Sequence, residues 1–302
     1  MIQNLKIENF RAFKKFEANG FERINLISGK NNSGKSCLLE AILCLNRSFS
    51  LDHISHVRRT QLYNLININA DNNFVIITTK MSEDGTQFLR CEYRSNHKEL
   101  ESYESSSKLI VNFINQNIQT PDFNVVEEFD NFDASLLKEK LINILQIVDP
   151  RIEDIRTFKS KEGLWVKLKG KEYETIDNFG DATNNLIRYF TPIFRKRLTS
   201  SSQNECSVLL IDEIENGIHY TAHEEFWKKM FQLSKSENVQ LFATTHSLEM
   251  IKAFNKVAKE EGDGAFFEMA REFETDNIFM EKHDVSLLEY ELENEDATFR
   301  GE

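Results

Sequence analysis

Apolar and polar positions alternate through the opening of the chain, and three short strands are predicted there: Ile2–Asn9, Phe13–Ala18 and Arg23–Ser28. Ile2, Leu5 and Ile7 mark the inner face of the first, and Ile24-Asn25-Leu26-Ile27-Ser28 is apolar enough to be buried on both faces. From Lys35 to Asn46 the spacing of Leu38, Leu39, Ile42 and Leu43 predicts an amphipathic helix. Two further strands are expected at Phe74–Met81 and Gln87–Arg94, joined by Ser82-Glu83-Asp84-Gly85, with loops at Ser105–Ser107 and Thr120–Asp122. Helical spacing returns over Ala134–Val148, where Leu137, Leu141, Ile144, Leu145 and Val148 share a face. Strands at Ile152–Lys159 and Leu164–Lys169 follow, turning at Gly163. A helix over Ala182–Arg197 should be ended or kinked by Pro192. Beyond the polar Thr199–Glu205 come a strand at Val208–Asp212, a helix at Thr221–Lys235 and a strand at Gln240–Thr244. Two edge strands, Ala265–Met269 and Asn277–Met280, lead into an acidic end. Strand–helix alternation of this kind implies a parallel sheet with helices on its faces.

The chemistry sits where these elements meet. Residues Gly29-Lys30-Asn31-Asn32-Ser33-Gly34-Lys35-Ser36 form a complete G-x-x-x-x-G-K-[ST] loop between a predicted strand and a predicted helix. That context aims backbone N–H groups and the positive end of a helix dipole at a polyphosphate. The phosphate-binding segment runs from Gly29 to Cys37, with Lys35 expected on the β- and γ-phosphates and the Ser36 hydroxyl on Mg²⁺. Ser207-Val208-Leu209-Leu210-Ile211 then closes on Asp212 and Glu213, which in a parallel strand emerge at the carboxyl edge of the sheet. Asp212 is placed to hold the magnesium shell, and Glu213 to orient or deprotonate an attacking water. A second apolar strand ends at Thr244-Thr245-His246-Ser247, where His246 can reach a γ-phosphate and sense its loss. A nucleoside triphosphate and Mg²⁺ are the expected ligands.

Composition narrows the partners. At 302 residues the chain has ample length for a core, and with 40% hydrophobic and 28% charged residues it reads as an ordinary soluble protein. No apolar run approaches a membrane span and the first residues lack a signal-peptide pattern, so a cytoplasmic location is expected. Cys37, Cys44, Cys91 and Cys206 have no zinc or disulfide spacing. A net charge of −12 repels nucleic acid on average, so such contact would need local basic groups, of which Arg58-Arg59 and Arg195-Lys196-Arg197 are the candidates. The acidic Glu127-Glu128 and Asp130 suit a solvated loop.

Taken together, these motifs resemble an ABC-type ATPase head of the OLD, RecF and SMC group, most closely the AAA15 class of OLD-like bacterial ATPases. The matching pieces are Ile7-Glu8-Asn9-Phe10-Arg11-Ala12-Phe13, the phosphate loop, Asp149-Pro150-Arg151-Ile152, Phe179-Gly180-Asp181-Ala182-Thr183, Leu210–Tyr220 and Ala243–Ser247. The resemblance implies head-to-tail dimers in which ATP lies between one subunit's phosphate loop and the other's signature segment. Gly180-Asp181-Ala182 matches that signature position, and Asn216-Gly217-Ile218-His219 the loop that crosses the interface. Arg11 stands where related heads contact nucleotide. The glutamine that completes the magnesium shell in such heads finds no assigned place here.

The fold expected is therefore α/β: an ABC-ATPase head with a P-loop parallel sheet, an N-terminal antiparallel β-subdomain and an α+β insertion. One discontinuous head is expected, with its core in about 1–48 and 134–260, a variable lobe at 49–133, and C-terminal strands and tail at 261–302. About 140 residues separate the phosphate loop from the signature segment, without sustained heptads, which leaves no room for a long coiled coil. The residues after His246 carry no D-x-D carboxylate pair of a nuclease. The expected function is an ATP-hydrolysing switch subunit, a homodimer or higher homo-oligomer, controlling a separate nuclease or toxin effector in bacterial antiphage defence. A RecF-like clamp on DNA is the alternative. A transporter subunit is disfavoured, because the signature segment lacks Ser-Gly-Gly.

Overall fold

The computed structural model describes residues 1–45, 66–70, 73–81, 87–95, 111–114, 136–158, 161–199 and 206–294. The first strands are β1 (Asn4–Phe10), β2 (Phe13–Asn19) and β3 (Ile24–Ser28), followed by helix α1 (Lys35–Leu43). Next come β4 (Ile66–Ala70), β5 (Asn73–Met81), β6 (Gln87–Ser95) and β7 (Val111–Ile114). Helix α2 (Leu136–Leu145) precedes β8 (Ile152–Phe158), β9 (Lys161–Leu168) and β10 (Tyr173–Thr175). The remainder is α3 (Asp181–Thr199), β11 (Ser207–Ile211), α4 (His223–Ser236), β12 (Val239–Thr244), α5 (Leu248–Glu261), β13 (Gly264–Arg271), β14 (Ile278–His283) and α6 (Val285–Asn294).

Three sheets organise these elements. The central one has six strands in the order β14-β13-β3-β12-β11-β7, all parallel except the edge strand β14. A five-stranded antiparallel sheet, β2-β1-β4-β5-β6, begins at the N-terminus, and β10-β9-β8 form a small third sheet. The central strands are buried on both faces, as a parallel sheet covered on two sides requires. Leu26, Leu209, Ile211, Leu241 and Phe266 point into one core with Leu141, Phe190, Trp227, Phe254 and Leu288 of the helices and Ile155 and Val166 of the third sheet. Ile27, Val208, Leu210, Phe242 and Phe267 point the other way, onto Leu38 and Ile42 of α1 and Leu5, Ile7 and Phe16 of the antiparallel sheet. Helix α1 thus lies in the second core, between two sheets. A parallel sheet joined to an N-terminal antiparallel sheet is the arrangement expected, with no long coiled coil among the described residues.

Several local expectations are corrected. Helix α3 runs through Pro192 to Thr199. A proline inside a helix costs about 3 kcal/mol, but here Leu186, Ile187, Tyr189, Phe190, Ile193 and Phe194 are all buried along the helix and outweigh it. Gly163 makes no turn: the hairpin closes between Phe158 and Lys161, and Gly163, at φ +83°, lies inside β9 at an irregularity in the ladder. Strand β13 is internal, paired with β3 and β14, so of these two strands β14 alone is an edge; Ala265, Phe266, Phe267 and Met269 are accordingly buried. Helices α5 and α6 and strands β4, β7 and β10 extend the predicted set. The expected turns and loops at 82–85, 105–107 and 120–122, the polar run at 200–205, Arg58-Arg59, the 127–130 cluster and the last eight residues lie outside the described residues.

Candidate nucleotide site

Strand β3 is one of the two central strands of the sheet, and the chain leaves its end through two glycines that no other residue could replace in place. Gly29 has φ +144° and Gly34 φ +101°. A Cβ on Gly29 would stand 2.1 Å from the Met269 carbonyl oxygen, and one on Gly34 would stand 2.9 Å from Ile278 Cδ1. The β13–β14 hairpin therefore presses directly on the loop. Between the glycines, Lys30, Asn31 and Asn32 are exposed and Ser33 is buried, with a side-chain hydroxyl that has no protein partner among the described residues. Gly34 ends the loop in a left-handed conformation and α1 starts at Lys35. The N–H groups of Lys35, Ser36 and Cys37 open the helix, where no preceding turn can accept them. A narrow glycine turn, free helix N–H groups and an exposed Ser36 hydroxyl fit a polyphosphate chain.

Lys35 is 93% shielded, with 7% of its surface exposed, and its ammonium donates to the carbonyls of Gly29 at 2.7 Å and Lys30 at 2.9 Å. Burial lowers its pKa to about 8, although Asp212, Glu215 and Glu213 pull the other way. These acids follow β11, whose end is tied to its neighbour β12 by one side chain. The Thr244 hydroxyl donates to Asp212 and accepts the backbone N–H of Glu213 at 2.9 Å, while the Thr244 carbonyl accepts Ile214 N–H at 3.0 Å. Glu213 is held at φ +54°, an uncommon conformation for a residue with a side chain. Two residues past Thr244, His246 donates its backbone N–H to Glu215 Oε1 at 2.8 Å. Burial lowers the His246 pKa, the Lys35 charge adds to the effect, and the three carboxylates oppose it.

Because β12 lies between β3 and β11, the sheet brings Lys35, Asp212, Glu213 and His246 to one carboxyl edge. Ser36 and Asp212 offer oxygen ligands only, as a hard cation prefers. Among the described residues no three His, Cys, Asp or Glu side chains gather into a closed metal cage. Arg11, in the β1–β2 turn, forms an ion pair with Glu40 of α1 at 2.6 Å. Burial raises Glu40 to about 7, against the Arg11 charge and with a contribution from Asp212. Cys37 beside them is half-buried, and burial raises its pKa. Gly180 is exposed just before α3, and Asp181 and Ala182, which open the helix, pack against Gly217: a Cβ on Gly217 would lie 3.0 Å from atoms of both.

Thr244, Glu215 and Glu40 are absent from the residues the sequence singled out. The first two lie inside the motifs already recognised, and Glu40 is the lone charge in the otherwise small and apolar Ser36–Leu43 stretch. No helix among the described residues is long and apolar enough to cross a membrane.

Similarity to known proteins agrees with this geometry. The AAA_15 family model, described as an AAA ATPase domain, matches residues 1–175 and 123–251. An ATP/GTP phosphatase of Helicobacter pylori is 24% identical over 338 residues, covering 86% of this chain and 89% of that protein. The DNA replication and repair protein RecF of Francisella tularensis subsp. novicida is 33% identical over 129 residues, which is 41% of this chain and 35% of RecF. Among solved structures, an SMC head bound to the C-winged helix domain of ScpA aligns with a TM-score of 0.59 at 14% identity, covering 96% of this chain and 99% of that one. A Pyrococcus furiosus complex of an SMC head, bearing an extended coiled coil, aligns at 0.56 and 12% identity, covering 97% and 98%. At such identities the SMC likeness is one of fold. A loop shaped for phosphates, two adjacent acids at the edge of the same sheet and a family match across most of the chain lead to one conclusion: this protein belongs to the AAA_15 family and is an ABC-type ATPase.

Proposed function

We propose that the protein is an ATP-driven switch that dimerises around ATP and resets by hydrolysing it at Glu213. The observation that carries the reading is the meeting of the β3 loop with the ends of β11 and β12 at one sheet edge, fastened by Thr244. The loop N–H groups from Gly29 to Cys37 bind the phosphates, and Lys35 exchanges the Gly29 and Lys30 carbonyls for phosphate oxygens. Ser36 and Asp212 hold Mg²⁺, which when bound offsets charge on the phosphates. Glu213 orients a water in line with the γ-phosphorus and accepts its proton as the bond to the ADP oxygen breaks, giving ADP and phosphate. His246 meets the γ-phosphate from the neighbouring strand.

In the dimer, Gly180-Asp181-Ala182 of one copy closes the site of the other, as the ABC-head resemblance implies, and Asn216–His219 crosses between them. The biological reading is control of a separate nuclease or toxin effector in antiphage defence. It rests on the OLD-like motif set and on the charge of −12, which favours a protein partner over a nucleic acid. The RecF similarity supports the second reading, an ATP-dependent clamp on DNA.

Glu213→Gln tests the core of the proposal. It should bind ATP, hydrolyse it at a small fraction of the normal rate and accumulate a dimer or larger species in light scattering. Unchanged turnover would remove Glu213 from the mechanism. Purified from its host with Mg-ATP, the same variant should carry a stoichiometric effector protein. Recovery of nuclease-sensitive DNA in its place would favour the clamp.

A further inference from the structure

Glu213 is exposed, and Thr244 fixes only its backbone. Something else must hold the carboxylate if it is to meet a water in one orientation. The next residues do this. Asn216 donates its side-chain Nδ2 to Glu213 Oε2 at 2.7 Å, and its backbone N–H to the Glu213 carbonyl at 3.1 Å. A carboxylate only accepts, so the orientation of that amide is determined. Asn216 is itself tied down: its carbonyl accepts Nδ2 of Asn185 at 2.7 Å. Asn185 belongs to α3, on a separate element, and only 5% of its surface is exposed. Gly217, at φ +75°, brings the loop against the first turn of that helix, with room for no side chain.

We propose that Asn185 and Asn216 are positioning residues for the hydrolytic step: Asn185 of α3 anchors the loop, and Asn216 holds one Glu213 oxygen so that the other faces the water. The inference rests on the role given to Glu213 above. It extends that role by linking the carboxylate to α3, which Gly180 precedes and Asp181 and Ala182 open. A contact made on those residues reaches Glu213 through two hydrogen bonds and a glycine seat. The chemical logic is geometric, since displacement of a reacting group by about 1 Å costs on the order of 100-fold in rate.

The test is steady-state hydrolysis by the full chain, with ATP affinity measured separately, for Asn216→Ala, Asn216→Gln, Asn185→Ala and Glu213→Gln, alone and combined. Asn216→Ala should lower kcat about 10- to 100-fold while ATP affinity and melting temperature hold. Asn216→Gln should recover part of the loss, and Asn185→Ala should show the same split at smaller size. Added to Glu213→Gln, Asn216→Ala should have no further effect, because the group it positions is already gone. Unchanged kcat in both asparagine variants, or a further full-sized loss in the double variant, would overturn the positioning role. So would a loss of ATP affinity that accounts for the lost rate. If Glu213→Gln itself keeps normal turnover, the base assignment fails first and the inference falls with it.

Discussion

The hydroxyl of Thr244 accepts the backbone N–H of Glu213 at 2.9 Å, so a residue of one strand decides where the acid at the end of the next one turns. The same hydroxyl donates to Asp212, the residue proposed to hold Mg²⁺. Thr244 is fully buried, and its shape is close to that of valine. Thr244→Val should therefore fold, yet remove the acceptor of Glu213 N–H and one donor to Asp212. Losing a buried hydrogen-bond partner costs about 1–3 kcal/mol. Because both acids shift, kcat should fall about 10- to 100-fold, with Thr244→Ser close to the parent. Equal kcat for the valine and serine variants would show that the clamp does not set the geometry of the acids.

Gly29 gives a prediction of opposite character. Its Cβ position is filled by the Met269 carbonyl at 2.1 Å, which is backbone and cannot swing aside. Gly29→Ala should push the loop off the β13–β14 hairpin, lower the melting temperature and abolish ATP binding. Around Gly180 there is nothing within 4 Å of a Cβ, so Gly180→Ala should melt with the parent. Paired thermal melts and a nucleotide titration decide the matter. A Gly29→Ala protein with parental melting and affinity would mean that the loop does not rest on Met269.

The residues of the phosphate loop were legible because their spacing is set by backbone geometry that few sequences satisfy. Asp212, Glu213 and His246 were legible as the polar ends of apolar strands. What the pattern does not contain is strand order: nothing local to β12 says that it runs between β3 and β11. For that reason the role of Thr244 is not legible in the sequence, though its place between the two strands makes it the fastening. Helix α5 was readable, with Met250, Ile251, Phe254 and Val257 on one face, Ser247 capping the start and Gly262 the end. Pro192 does not end its helix, because packing on both sides of it outweighs the local rule. Asn185 was beyond reach, as its partner lies 31 positions away on another element.

The ion pair of Arg11 and Glu40 couples stability to pH. Burial raises Glu40 to about 7 from an ordinary 4.5, so between those values the folded state binds more protons than the unfolded one. Stability from this group is complete below about pH 4.5 and declines as pH rises through 7. Arg11 opposes that decline by facing the charged form at 2.6 Å. Arg11→Ala should cost little at pH 5, where folded Glu40 is protonated, and about 1–2 kcal/mol at pH 8. Glu40→Gln should flatten the difference. Denaturant melts of the three proteins at both pH values measure it, and an equal loss at pH 5 and pH 8 would separate Arg11 from the Glu40 charge.

Lys35 makes nucleotide binding itself depend on protons. In the free protein its pKa is lowered to about 8, chiefly by burial, with its ammonium on two loop carbonyls. A polyphosphate brings negative charge to the same place and favours the charged amine, so binding must raise that pKa. At pH 7 both states are protonated and no proton is exchanged. Above pH 8 the free protein has lost the proton that the complex needs. Binding should then take up close to one proton, and affinity should fall by up to about tenfold per pH unit. The free protein follows the same sign rule: between about 8 and 10.5 the unfolded chain binds more protons, so this residue's contribution to folding improves as pH rises. Calorimetric titration of ATP in the presence of EDTA, in two buffers of different ionisation heat, measures the uptake directly. Near-zero uptake at pH 7 and close to one proton at pH 9 would place the titrating amine in the phosphate site; Lys35→Arg, which stays charged, should show none at either pH. Uptake that persists in Lys35→Arg would assign the proton to another group and leave Lys35 charged throughout.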